Sequence, residues 1–129
     1  MTQNDPTIYD MVGGEATIRA LVDAFYAKVE ADEELRAIFP DDLEPGKKWQ
    51  FLFLTQYWGG PRTYMDERGH PRLRMRHNPY PITPHLRNLW VQYMLEAVDE
   101  VGIEEPARSI MREYFQRGGS AMINQYDVT

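Results

Sequence analysis

The sequence predicts an all-α protein, and three observations carry that reading. Apolar residues recur at intervals of three and four, the period of an amphipathic helix. Helix-start and helix-stop residues punctuate the chain, with Pro after a polar residue at Asp5-Pro6 and Thr83-Pro84 and Gly at Gly13-Gly14 and Gly102. The longest apolar run, residues 49–58, lacks the alternation of a half-buried strand. At 129 residues the chain fits one domain, expected to span 1–129 with its core within about 7–124.

Each element follows from its spacing. Asp5-Pro6 predicts a first helix with Pro at its first position, stopped by Gly13-Gly14. Ile18, Leu21, Val22, Phe25, Tyr26 and Val29 mark the buried face of a second helix. Leu35, Ile38 and Phe39 form a short turn closed by Pro40, and Pro45-Gly46 reads as the punctuation before a buried helix at 49–58, ended by Gly59-Gly60-Pro61. Residues 61–83 are the least regular, and they hold five of the fourteen basic residues: Arg62, Arg68, Arg72, Arg74 and Arg76. Thr83 is the expected N-cap of the clearest helix, with Leu86, Leu89, Trp90, Tyr93, Met94, Ala97 and Val101 on one face and Gly102 as its stop. A last helix carries Ile110, Met111, Tyr114, Phe115 and Met122. Gly118-Gly119 inside it is expected to weaken it by about 1 kcal/mol per glycine.

Composition excludes several functions. Hydrophobic residues make up 43% and charged residues 26%, enough to bury a core and stay soluble. Twenty acidic residues against fourteen basic give a net charge of −6, which argues against nonspecific binding to nucleic acid or an anionic membrane. Without cysteine there is no disulfide, thiolate nucleophile, Fe–S cluster or covalent haem attachment. No apolar run reaches the ~20 residues of a membrane span, and the polar Met1-Thr2-Gln3-Asn4-Asp5 start is unlike a signal peptide. A cytoplasmic location is the expectation.

Three histidines remain as candidate ligands. His70 in its Gly-His-Pro turn and His85 near a helix start are expected to be solvated. His77 ends a segment that alternates arginine with apolar residues, where it serves either as a helix-terminal cation or as a ligand. No His has a second ligand three or four residues away, so helical zinc sites are absent, as are nucleophile-elbow and phosphate-loop motifs. A cofactor needing a single protein bond remains, and haem iron is the main such case. Its slot would draw on Phe25, Phe39, Phe53, Leu54, Leu73, Tyr80, Ile82, Trp90 and Met94, residues that equally suit an ordinary core. The arginines beside His77 would meet its propionates.

The quoted segments match a known family. Ile8-Tyr9-Asp10-Met11-Val12-Gly13-Gly14, Phe25-Tyr26, Ile38-Phe39-Pro40, Gln56-Tyr57-Trp58-Gly59-Gly60-Pro61 and the string Gly69-His70-Pro71-Arg72-Leu73-Arg74-Met75-Arg76-His77 stand in order, with Trp90 following His77 by thirteen residues. Over about residues 7–124 the chain resembles the truncated haemoglobins of group II, the O-type. The resemblance implies a globin-like two-over-two helical sandwich holding haem b, with His77 as the proximal iron ligand. It implies Tyr26, Gln50 and Trp90 as distal donors to bound O2, which carries partial negative charge. Phe39 would pack on the haem, and Gly46 would stand at the distal gate, leaving a short path from solvent.

Two positions depart from the family pattern. Phe39 replaces a frequent Tyr, which shifts ligand stabilisation onto Gln50 and Trp90. Trp49 replaces a frequent Lys or Arg, so propionate anchoring passes to Arg76, Lys48 or Tyr64. Three distal donors would retain O2 tightly, which suits gas sensing, scavenging or redox handling better than bulk oxygen transport; the alternative is a haem enzyme with peroxidase or NO dioxygenase activity. NO, CO, peroxide or sulfide are further candidate ligands. An unidentified reductase is the expected partner of any turnover, and a monomer or homodimer the expected state.

Overall fold

The structure is a computed structural model that describes residues 6–72, 75, 77 and 81–122. The expectations placed on Leu73, Arg76 and Tyr80 lie outside the described residues. Seven helices are present among them: α1 (Ile8–Val12), α2 (Glu15–Ala31), α3 (Glu33–Arg36), α4 (Glu44–Tyr57), α5 (Thr63–Arg68), α6 (Pro84–Glu100) and α7 (Ala107–Ala121). Met75 and His77 are also helical.

Helix α1 begins after Thr7 rather than at Pro6, because Thr7 and Asp10 form a capping box. The Asp10 N–H donates to Thr7 Oγ1 at 3.1 Å and the Thr7 N–H to the Asp10 carboxylate at 3.5 Å. Gly13, at φ 100°, closes it. In α2 all six expected apolar residues are buried. Asp32 ends α2 and caps α3, accepting from the Leu35 N–H at 3.1 Å.

Helix α4 starts five residues before Trp49 and takes in Pro45-Gly46, the punctuation expected before it. Pro is harmless there because the first turn has no use for its missing N–H. At the other end the Tyr9 N–H donates to the Trp58 carbonyl at 2.9 Å, tying α1 to α4. Helix α5 was not expected at all. It buries only Tyr64, so it has no apolar stripe to betray it.

In α6 the Thr83 hydroxyl accepts from the Leu86 N–H at 3.1 Å, as the sequence predicts. Its fully buried stripe is Val91, Met94, Ala97 and Val98, rotated from the expected face, which leaves Trp90 half-buried at the stripe's edge. Met94 is core and not slot. In α7 Met111 and Phe115 are buried, whereas Ile110, expected inside, is 46% exposed.

Gly118-Gly119 does not interrupt α7, because the second glycine fits a close helix contact. A Cβ on Gly119 would lie 2.7 Å from Val91 Cγ2 and 3.3 Å from Trp90 Cε3. Helix α2 packs on both α4 and α6, and α6 packs on α7. The end of α4 meets α7 through Tyr57, Trp58, Tyr114 and Phe115, so two helix pairs form two layers.

Candidate cofactor site

The layers leave a cavity of about 430 Å³, within the range of roughly 300–1,000 Å³ usual for a cofactor. Twelve of the expected site residues line it: Phe25, Tyr26, Phe39, Gly46, Trp49, Gln50, Phe53, Leu54, Tyr64, His77, Ile82 and Trp90. They come from α2, the α3–α4 connection, α4, α5, the segment after α5, and α6.

The donors stand on long helices. Tyr26 is buried, with edge contacts to Phe25 at 5.3 Å and Phe39 at 5.9 Å. Burial pushes its phenol up to about 12, so it stays protonated and can donate at neutral pH. Trp90 meets Phe25 edge-on at 5.6 Å. Gln50 lies one turn beyond Gly46 on the same face of α4. A Cβ on Gly46 would stand 2.9 Å from the Tyr26 hydroxyl, so glycine is what lets α4 pass this phenol. Gly46 is itself exposed, which places the cavity's solvent edge beside Tyr26.

His77, from the segment after α5, is half-buried and lines the cavity. The remaining two histidines point elsewhere. His70 is exposed and accepts from the Arg72 N–H at 3.1 Å, and exposed His85 pairs with Glu34 at 3.1 Å. Among the described residues no group of three His, Asp or Glu could hold a metal ion. Lys48, a candidate propionate anchor, is drawn away to Glu67 at 3.4 Å and does not line the cavity.

Two cavity cations escaped the sequence reading. The Arg68 guanidinium lies 4.5 Å from the Trp49 ring centroid and 5.9 Å from that of Tyr64. Arg87 is held to the end of α7 by Ser120 Oγ at 3.1 Å and the Gln116 carbonyl at 3.3 Å. In the sequence Arg68 is one of several arginines in an irregular stretch and Arg87 lies between apolar helix positions, so spacing marks neither as a cavity residue. Gly118, Gly119 and Met122 also line the cavity; a Cβ at Gly119 would meet Val91 and Trp90, whereas one at Gly118 would meet nothing within 4 Å.

The profile of the bacterial-like globins matches residues 7–124. The chain is 40% identical over 125 residues to group 2 truncated haemoglobin YjbI of Bacillus subtilis, covering 97% of this chain and 94% of that one. The chain is a group II truncated haemoglobin of the bacterial-like globin family. Two solved structures extend the likeness. One is a haemoglobin from the thermophilic phototroph Chloroflexus aurantiacus, with 60% identity, TM-score 0.92 and coverage of 94% of this chain and all of that one. The other is described as a truncated oxygen-avid haemoglobin from Bacillus subtilis, with 39% identity, TM-score 0.87 and coverage of 92% and 100%. The fold is the two-on-two globin sandwich.

Membership implies a haem-binding globin, and the cavity of this truncated haemoglobin fits that group. The Gln50 amide oxygen is buried without a hydrogen-bond partner, so nothing fixes the amide's orientation, and a half-turn presents its NH2 as a donor to a ligand in the cavity. An apolar slot, one imidazole on its wall and two guanidinium groups complete the match to a flat anionic macrocycle with one axial bond.

Proposed function

We propose that this truncated haemoglobin binds haem b through His77 and retains O2 tightly. The observation that carries the reading is the convergence of Tyr26, Gln50 and Trp90 from three helices on one cavity, with the Tyr26 phenol held in its donating form. The oxygen-avid description of the Bacillus subtilis neighbour supports it. The bound haem supplies a ferrous iron whose open face takes a diatomic ligand. His77 offers its imidazole as the single protein bond, and Phe39, Phe53, Leu54 and Ile82 exclude water from the slot. Arg68 and Arg87, with the Tyr64 phenol, meet the propionates in place of Lys48. Trp49 stacks under Arg68 and orients it.

Each donor contributes one hydrogen bond to a charge-bearing ligand, about 1.5–3 kcal/mol. Loss of one therefore speeds O2 release by about tenfold or more. Stopped-flow O2 release from Tyr26→Phe, Gln50→Leu and Trp90→Phe tests this. Rates matching the unaltered protein in all three would refute it.

A second reading, haem-dependent turnover of peroxide or NO with electrons from a reductase, is favoured by one observation. Oxidisable Tyr26, Trp90, Tyr64 and Tyr114 all face the cavity. Mixing the ferric protein with peroxide and the oxygenated protein with NO tests it, and slow reaction at both removes it.

A further inference from the structure

A smaller cleft, of about 170 Å³, lies between α2 and α4 and gathers cations. Arg19, Lys47 and Lys48 line it, with the carboxylates of Asp23 and Glu44 and the ring of Phe51. Residues 1–60 hold eleven acidic side chains against five basic ones, and three of those five meet here. The other two are engaged within the fold. Arg36 donates to the Pro40 and Asp41 carbonyls, each at 2.8 Å, and Lys28 pairs with Glu96 and Glu100 of α6. The cleft cations are held more loosely. Arg19 meets Glu15 at 3.9 Å, Lys47 meets Glu44 at 3.5 Å and Lys48 meets Glu67 at 3.4 Å.

The cleft shares a wall with the larger cavity. The Lys47 ammonium lies 5.9 Å from the centroid of the Tyr26 ring, and that of Lys48 lies 4.6 Å from the Trp49 ring. Both rings line the cavity, and exposed Gly46, next to Lys47, marks its solvent edge. A surface lysine is ordinarily solvated, but the Lys47 side chain is only 29% exposed while its partner Glu44 is 79% exposed. Water therefore screens the carboxylate more than the ammonium. Arg19 is fixed with its guanidinium 4.2 Å from the Phe51 ring centroid. Charges act over roughly 8 Å at physiological salt, so the Lys47 field reaches the Tyr26 side of the opening. On a chain of net charge −6 this local focus of positive charge draws anions to one place.

We propose that the α2–α4 cleft captures small monovalent inorganic anions and that Lys47 steers them past Gly46 into the haem cavity. This rests on the haem reading above. Asp23 and Glu44 leave the site a single net positive charge, which suits a monovalent ion and disfavours a phosphate or a nucleotide. The cleft raises the local anion concentration, so its effect falls on the rate of entry. An uncharged ligand such as CO passes the same opening without that gain.

The haem-loaded protein is tested in two forms. In the CO-saturated ferrous form the iron is closed to anions, and thiocyanate is titrated while backbone amide shifts are followed by NMR. Saturable shifts at Arg19, Lys47 and Phe51 are expected, and Lys47→Gln weakens them several-fold. In the ferric form azide association is timed by stopped flow and set against CO association to the ferrous form. Lys47→Gln lowers the azide-to-CO ratio of rates by about three- to tenfold, and Lys47→Arg restores it. Raising salt from about 10 mM to about 0.5 M erases the difference between Lys47→Gln and the unaltered protein. An unchanged ratio overturns the steering, as does a fall in both rates together, which would mark Lys47 as shaping the opening. No saturable shift at the cleft overturns the capture site. A protein without a Soret band overturns the haem reading and the steering with it, and thiocyanate titration of that protein still decides the capture site.

Discussion

The two walls of the cavity are built in different ways. The wall carrying Tyr26, Gln50 and Trp90 belongs to α2, α4 and α6, the helices that also make the core. Tyr26 adjoins buried Phe25, and Trp90 adjoins buried Val91 one turn from Met94. The wall carrying His77 belongs to the chain between α4 and α6, where α5 buries only Tyr64 and Met75 beside the histidine is 54% exposed. Donor placement is thus tied to folding itself, whereas among the described residues 61–83 only Tyr64 and Ile82 are buried, and in the proposed haem-bound form the bond from His77 would complete that wall.

The largest expected effect strikes the first wall. Met94→Ala removes a fully buried side chain and should lower stability by about 2–5 kcal/mol, equally with and without haem, in denaturant melts. Removing the haem should do the converse. Hydrogen exchange is expected to keep the protection of α2 and α6 and to lose it across Thr63–Arg68, and uniform loss would break the contrast. Next comes Gly119→Ala, whose methyl meets Val91 Cγ2. Overpacking should cost about 1–3 kcal/mol and, by displacing Trp90, should speed O2 release measurably in stopped flow.

A smaller effect belongs to the cofactor's edge. Arg68→Ala removes a partly exposed cation, so transfer of haem to apomyoglobin should quicken by no more than about fivefold, in keeping with an ion pair worth up to ~1 kcal/mol. The smallest is a near-absence of pH dependence. Tyr26 is raised from 10.0 to about 12, so its donor proton is retained and O2 release should stay level between about pH 6 and pH 9. The sign for stability follows from the same shift. The folded form holds this proton more firmly than the unfolded chain, so its contribution is complete below 10.0 and is lost as pH rises through about 12. Alkaline titration of Tyr26→Phe should show a shallower decline.

Much of the first wall was legible in the sequence for a physical reason. Periodic burial writes itself into residue spacing, and all six apolar positions of α2 are inside as that spacing predicts. The family likeness supplied Gln50, Gly46 and His77, and each lines the cavity. What spacing could not show depends on contacts between distant segments. Ile110 carries a helical apolar period yet faces solvent, because α7 offers only one side to α6. Helix α5 follows from caps and turns rather than a stripe, and Arg68 enters the cavity only because that helix exists. Gly119, a weakness by helix propensity, is where α7 passes Val91 and Trp90, a contact that spacing does not encode.

The most direct measurement is the absorption spectrum of His77→Gly in ferric, ferrous and oxygenated forms, recorded with and without added imidazole. With His77 as the single protein bond to iron, the altered protein should lose the parent's ferrous spectrum and recover it when imidazole fills the space. A spectrum that the substitution leaves unchanged would contradict the assignment.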